Sequence, residues 1–163
     1  MLQFKEFKTS FGPLSVIFDE AEGQVIRSGF FNAAAILQKE YSNADIRKVK
    51  DIIQVKDALE AWQDKELNAL NQVPCSQPGS AFAQSCFNQM RKVAAGRTIS
   101  YAQLAAKSKN PKAIRAAASC CANNRLAPFV PCHRIIRSTG EIGNYAFGKP
   151  LKLALLRHEG AID

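Results

Sequence analysis

The stretch SYAQLAAKSKNPKAIRAAASCCAN, residues 100–123, fixes the architecture of the second half of the chain. Ser100 followed three positions later by Gln103 is a capping box. Its hydroxyl and amide satisfy backbone N–H groups that the start of a helix leaves without partners. It opens a short helix expected to run through Lys107. Ser108-Lys109-Asn110 is read as the turn. Asn110 is placed to cap a second helix, and Pro111 suits its first position, where a missing N–H costs nothing. That helix is expected from Pro111 to about Asn123. It is rich in alanine (Ala113, Ala116, Ala117, Ala118, Ala122), and small side chains let two helices approach closely. Two short helices with Lys112 and Arg115 near the start of the second make a helix-turn-helix pattern. An ordinary helical hairpin shares that pattern.

Downstream, Val130-Pro131-Cys132-His133-Arg134-Ile135-Ile136 places a cysteine beside one of two histidines, with apolar residues on either side. A thiol is a weak nucleophile until an imidazole or another base takes its proton. The base needs a third group to hold its tautomer. Few carboxylates are available in this half, namely Glu141, Glu159 and Asp163. Glu159, at the close of the last helix, is the natural orienter. Neighbouring residues rarely share a well-aligned hydrogen bond, so Cys132 and His133 are expected to communicate through a water. Taken alone, the pair reads more readily as core packing than as a reactive site.

Charge divides unevenly along the chain. Residues 81–163 carry thirteen Lys or Arg against three acids, a surplus of ten within a total of +8, so the first eighty residues are net −2. A basic half joined to a mildly acidic one points to a polyanion partner for the second half. The five cysteines (Cys75, Cys86, Cys120, Cys121, Cys132) show no framework spacing and no C-x-x-C, so reduced thiols in a reducing compartment are expected. Cys86 reads as core filler. With His133 and His158 the only histidines, no zinc site is expected. No run approaches the ~18 apolar residues of a membrane span, and the N-terminus lacks a signal core. The chain is therefore expected to start near Met1 and to be cytoplasmic, or nuclear in a eukaryote.

The first half reads as an antiparallel meander. Strands are expected at Leu2–Phe7, Leu14–Phe18 and Gln24–Phe30, with a helix at Ala33–Tyr41 capped by Asn32, a further strand at Ile46–Val49 and a long helix from Ile52 to Leu70 carrying Leu59 and Trp62 on one face. Val73–Gly79, with two prolines and a glycine, is read as a linker. The expected organisation is α+β: an N-terminal α+β domain over residues 1–72, a linker over 73–79, and a mostly helical domain over 80–163. In the second domain, Ser80 should cap a helix with Phe82, Cys86, Met90 and Val93 on one face. Ile135–Ile142 should form a hairpin turning at Ser138-Thr139-Gly140, and Pro150 should begin a last helix ending at His158-Glu159-Gly160.

The segment Ala81–Gly160 resembles the O6-alkylguanine-DNA alkyltransferase family. Pro131-Cys132-His133-Arg134-Ile135-Ile136 is similar to its active-site signature. Gly96-Arg97-Thr98-Ile99-Ser100-Tyr101 with Leu104-Ala105, and Pro111-Lys112-Ala113-Ile114-Arg115-Ala116, are similar to its two recognition-motif helices. Gly140-Glu141-Ile142-Gly143-Asn144-Tyr145, Gly148, Lys152, Leu155-Leu156 and Glu159-Gly160 follow in order. The N-terminal half matches more loosely, mainly at Thr9–Leu14, and by resemblance is ribonuclease-H-like.

The resemblance implies that Cys132 accepts an alkyl group from O6-alkylguanine (with O4-alkylthymine a further substrate) in double-stranded DNA, once per molecule and with base flipping. His133 would act as base through a water, and Glu159 would hold it. Asn124 would be a hinge. Tyr101, Lys112, Arg115 and Arg134 would bind DNA, with Arg115 entering the base stack and Tyr101 helping to rotate the base out. Tyr145, Ala146 and Phe147 would line the substrate pocket. No cofactor and no metal are implied, and the protein would act as a monomer. Three positions depart from the family. Arg125 stands where proline is usual, Phe87 where tryptophan is common, and Phe147 where several members have a small residue. Phe147 is thus expected to narrow the pocket against O6-benzylguanine. The alternatives are a non-enzymatic helix-turn-helix DNA-binding protein, a lesion sensor lacking the transfer step, and a cysteine hydrolase. The last is disfavoured because nothing resembles an oxyanion hole.

Overall fold

A computed structural model describes residues 1–163. The sheet near the N-terminus is built on β2 (Gly12–Asp19), whose residues Leu14 to Phe18 are all buried. A strand covered on both faces reads as a continuous apolar run, as this one does. β1 (Leu2–Thr9) and β3 (Gln24–Gly29) flank it antiparallel, and β4 (Ile46–Lys48) adds to the far edge of β1. β4 pairs with β1 in parallel, Leu2 opposite Ile46. β1, β2 and β3 thus form the antiparallel meander expected, and the parallel β4 makes the whole sheet mixed, in the order β3-β2-β1-β4. A parallel neighbour needs a crossover, and α1 (Ala33–Tyr41) supplies it. Its Asn32 cap accepts from the Ala35 N–H.

The long helix expected to Leu70 stops early. α2 (Ile53–Gln63) buries Val55, Leu59 and Trp62. Lys65 then takes a left-handed conformation (φ 75°). The N–H of Lys65 reaches Trp62 O and that of Glu66 reaches Ala61 O. This is a Schellman closure with lysine where glycine is usual. A 3-10 turn follows at Ala69–Gln72.

By its contacts the chain forms two compact units. One comprises Met1–Gln77 with Arg125–Phe129, the other Pro78–Asn124 with Val130–Asp163. Residues 125–129, which the sequence places with the second half, hydrogen-bond within the first unit. Ser28 N donates to Arg125 O (2.8 Å) and Ser28 Oγ to Ala127 O (2.8 Å). Arg125 also shares the Glu40 carboxylate with Arg27, at 2.7 and 3.0 Å.

In the second unit, Ser80 caps α3 (Ala81–Lys92), and both halves of the Ser100–Gln103 capping box are formed at the start of α4 (Tyr101–Lys107). α5 begins later than expected, at Ile114, and runs to Ala122 with Ala113 as its cap. Asn110 cannot cap it, because it stands four residues before the first turn of α5, in the segment that closes α4. Lys109 is left-handed (φ 65°), the N–H of Asn110 bonds to Ala105 O, and the Asn110 carbonyl closes the next turn onto Ala113. Ala105 and Ala117 are buried between the two helices. A two-residue strand β5 (Ile99–Ser100) pairs in parallel with β6 (Ile135–Ile136). The expected hairpin over 135–142 is therefore absent as paired strands. Its turn is present, closed by Gly140 N to Arg137 O and Arg137 N to Glu141 O. The last helix, α6 (Lys149–His158), has Pro150 in its first turn and Glu159 at its C-cap. No helix is long and apolar enough to cross a membrane.

Candidate active site

Cys132 begins a 3-10 turn, Cys132–Arg134, entered through Pro131. The turn is held from behind. Asn124, just past the end of α5, donates its amide to Val130 O at 2.8 Å, and its side chain also hydrogen-bonds the Cys132 sulfur. Cys132 as a whole is 5% exposed. Burial pushes its thiol above the ordinary value, while the Asn124 hydrogen bond and the nearby Lys152 charge oppose this. At neutral pH Cys132 is therefore a neutral thiol, and a thiolate there would have to be generated by a partner.

That partner group is built into the next two residues. His133 is fully buried and its Nε2 lies 2.7 Å from Glu159 Oε1. Burial alone would raise the Glu159 carboxyl. Hydrogen bonds from His133 and Arg134, together with their charges, instead hold it at about 2. An ionised Glu159 can only accept, so His133 Nε2 carries the ring proton and Nδ1 presents a bare lone pair. Nδ1 is buried and bonds to no protein atom. Burial pulls the imidazole below its ordinary value despite Glu159, so it is neutral and able to take a proton. Arg134 grips the same carboxylate as a fork. Nε donates to Oε1 at 3.0 Å, Nη2 to Oε2 at 2.7 Å, and Nη1 to Val93 O at 2.7 Å. A bidentate charged pair fixes geometry as well as charge.

Cys132 opens onto a cavity of about 1000 Å³ walled by Tyr101, residues of α5 including Arg115 and Cys121, and the segment Asn144-Tyr145-Ala146. Burial pushes the Tyr101 phenol up to about 12, with smaller contributions from Cys121 and Cys132, so it is a hydrogen-bond donor at neutral pH. Gly143 is left-handed (φ 79°), and a Cβ there would stand 3.1 Å from the Tyr101 hydroxyl. Glycine is needed both for the turn and for the closeness of the ring. Lys152 is buried beneath. Its Nζ donates to Ile135 O (2.7 Å) and Asn144 O (3.3 Å), so it ties β6 to the cavity wall. No group of three or more His, Cys, Asp or Glu side chains could hold a metal.

A family profile described as "6-O-methylguanine DNA methyltransferase, DNA binding domain" matches residues 81–161. The methylated-DNA–protein-cysteine methyltransferase of Shigella flexneri is 31% identical over 98% of each chain. The chain belongs to this family. The bifunctional transcriptional activator/DNA repair enzyme Ada of Escherichia coli is 44% identical over 53% of this chain, which spans 25% of it. Among solved structures, that of Mycobacterium tuberculosis OGT in complex with DNA covers 98% of the chain with a TM-score of 0.80 at 23% identity; the chain covers 93% of it. Several of the curated relatives are much longer than the part they share, and this chain spans less than half of them.

Within the methyltransferase family frame, the expected site residues fall into three groups. Cys132, Tyr101, Arg115, Tyr145 and Ala146 line one cavity. His133, Asn124 and Glu159 stand buried around Cys132. Two residues differ from expectation. Arg134 is 0% exposed and spent on Glu159 and Val93, so it is not a DNA contact. Phe147 does not line the cavity. It packs edge-on against Tyr145, with ring centroids 5.5 Å apart. Lys112 stands exposed in the turn before α5. Sequence reasoning missed the structural task of Lys152 and the place of Arg137 on the cavity wall. A lysine amid the apolar residues of α6 was the one available signal for the first.

Proposed function

We propose that this chain repairs DNA by transferring a methyl or small alkyl group from O6-alkylguanine in duplex DNA to Cys132, once per molecule. The reading rests above all on one observation: a buried thiol at a cavity wall, backed by a His133–Glu159–Arg134 chain whose free lone pair is His133 Nδ1. The Cys132 proton leaves through a water to Nδ1, and Glu159 stabilises the imidazolium that forms. The sulfur attacks the alkyl carbon, and the bond from that carbon to O6 breaks. Its electron pair passes into the guanine ring, which takes back one proton. Tyr101, protonated at neutral pH, is the donor placed on the cavity wall. A base still stacked in the duplex cannot bring its alkyl carbon to a buried sulfur, so it must be flipped out. Arg115, exposed near the start of α5, is read as the side chain that fills the space left behind, and Lys112 as a phosphate contact. Asn124 couples α5 to the Cys132 turn. The chain acts as a monomer.

No cofactor is required by these steps, and a thioether gives the protein no route back to the free thiol. Incubation with an O6-methylguanine duplex followed by intact and peptide mass measurement should show one added methyl, on Cys132. Cys132→Ala should bind the same duplex and take up nothing. More than one equivalent transferred, or label on another residue, would contradict the reading.

A further inference from the structure

The cavity that holds Cys132 has no carboxylate in its lining but has two arginines, Arg115 and Arg137. Arg137 is exposed, and its guanidinium makes neither an ion pair nor a hydrogen bond to protein. It is also well placed. Its backbone closes the turn through Glu141 O and Gly140 N. Its Cγ lies 3.7 Å from where a Gly143 Cβ would stand, the same point that is 3.1 Å from the Tyr101 hydroxyl. The absence of a side chain at Gly143 thus lets the Arg137 stem and the Tyr101 ring converge at one edge of the cavity. Its charge is felt by the Tyr101 phenol.

A free guanidinium on a stem held in place, beside a cavity without acids, suits an anion with several acceptor oxygens. A flipped nucleotide brings such a group with it: the phosphodiester that still joins it to the strand. We infer that Arg137 binds a backbone phosphate of the nucleotide whose base occupies the cavity. It would thereby set specificity for a lesion in DNA over the same lesion as a free base. Arg115 does not meet this need, because it belongs to α5 and is assigned to the base stack. The inference rests on the alkyl-transfer reading given above.

The test compares single-turnover methylation of Cys132 in wild type, Arg137→Gln and Arg137→Lys. One substrate is an O6-methylguanine duplex across a salt series, the other is O6-methylguanine as free base. The expected result for Arg137→Gln is a fall of about tenfold on duplex, the scale of one charged hydrogen bond. The salt dependence of duplex binding should become shallower by about 0.9 in log–log slope, as for one phosphate. Free-base transfer should fall by much less than duplex transfer, and Arg137→Lys should recover part of the duplex rate. Equal losses on both substrates, an unchanged duplex rate, or a lost duplex rate with an unchanged salt slope would each overturn the assignment. Wild type that methylates Cys132 from neither substrate would overturn the transfer reading itself, which separates the two failures.

Discussion

Replacing Arg134 by methionine keeps side-chain volume and removes the charge. If Arg134 were a DNA contact, the variant would be stable and would bind DNA less tightly. The structure demands the opposite. Glu159 would lose the fork to both its oxygens, and Val93 O would lose its donor. Stripping one partner from a buried ion pair costs about 3–5 kcal/mol. The depression of Glu159 to about 2, from an ordinary 4.5, is the joint work of His133 and Arg134; it stabilises the fold at neutral pH, and the variant loses the Arg134 share of it. Because the folded value is depressed, this stabilisation is complete above pH 4.5 and is lost as pH falls toward 2. At about 2–4 °C per kcal/mol for a chain of this size, Arg134→Met should melt about 6–20 °C lower at pH 7. The gap from wild type should narrow on acidification through the same window. Methyl transfer should fall too, since His133 loses its firmly seated carboxylate. In a Cys132→Ala background, binding of undamaged duplex measured well below the melting range should keep its salt slope. A variant with unchanged melting and a shallower salt slope would refute the buried assignment.

Two further outcomes can be checked. Phe147→Ala should change the rates with O6-methylguanine and O6-benzylguanine bases by similar factors, because Phe147 acts through the Tyr145 ring and not as a pocket wall; a gain confined to the benzyl base in stopped assays would restore the narrowing role. Cys132 in the free protein should react with iodoacetamide at pH 7 more slowly than a cysteine in an unfolded peptide, since burial keeps its thiol above the ordinary value; fast labelling by quantitative mass spectrometry would show an already ionised sulfur.

Local signals in the sequence carried well into the structure. The Ser100–Gln103 box, the Asn32 and Ser80 caps and the Ala33–Tyr41 helix each depend on groups within four residues of one another. The errors arose where a residue answers to a distant partner. Arg134 in a basic half looks like a phosphate contact until Glu159, twenty-five positions away, is seen to consume it. Ile135-Ile136 looks like half of a hairpin, yet its strand partner is Ile99-Ser100, upstream. Asn110 has every property of a cap, but the chain needs a further turn, closed by Ala113 N onto Asn110 O, before α5 begins at Ile114. Of the site, the reactive pair and its carboxylate were legible because their chemistry is legible. Lys152 and Arg137 were not, because nothing local tells a lysine that ties strands from one that is solvated, or an arginine at a cavity edge from one on open surface.

The five residues Arg125–Phe129 leave the half of the chain that carries Cys132 and are built into the N-terminal unit, where Ser28 holds them at two points. They lie between Asn124 and Val130, the pair whose hydrogen bond steadies the acceptor turn. A protein made this way cannot be edited as two beads on a string. Cutting at residues 73–79 would leave the catalytic piece with an internal loop whose carbonyls and guanidinium have lost their partners. Grafting a foreign N-terminal domain would succeed only if the donor brought a serine and a carboxylate to receive that loop. Insertions and fusions belong at the chain ends or in surface turns, and the apparent linker is better regarded as one of three crossings of a single interwoven chain.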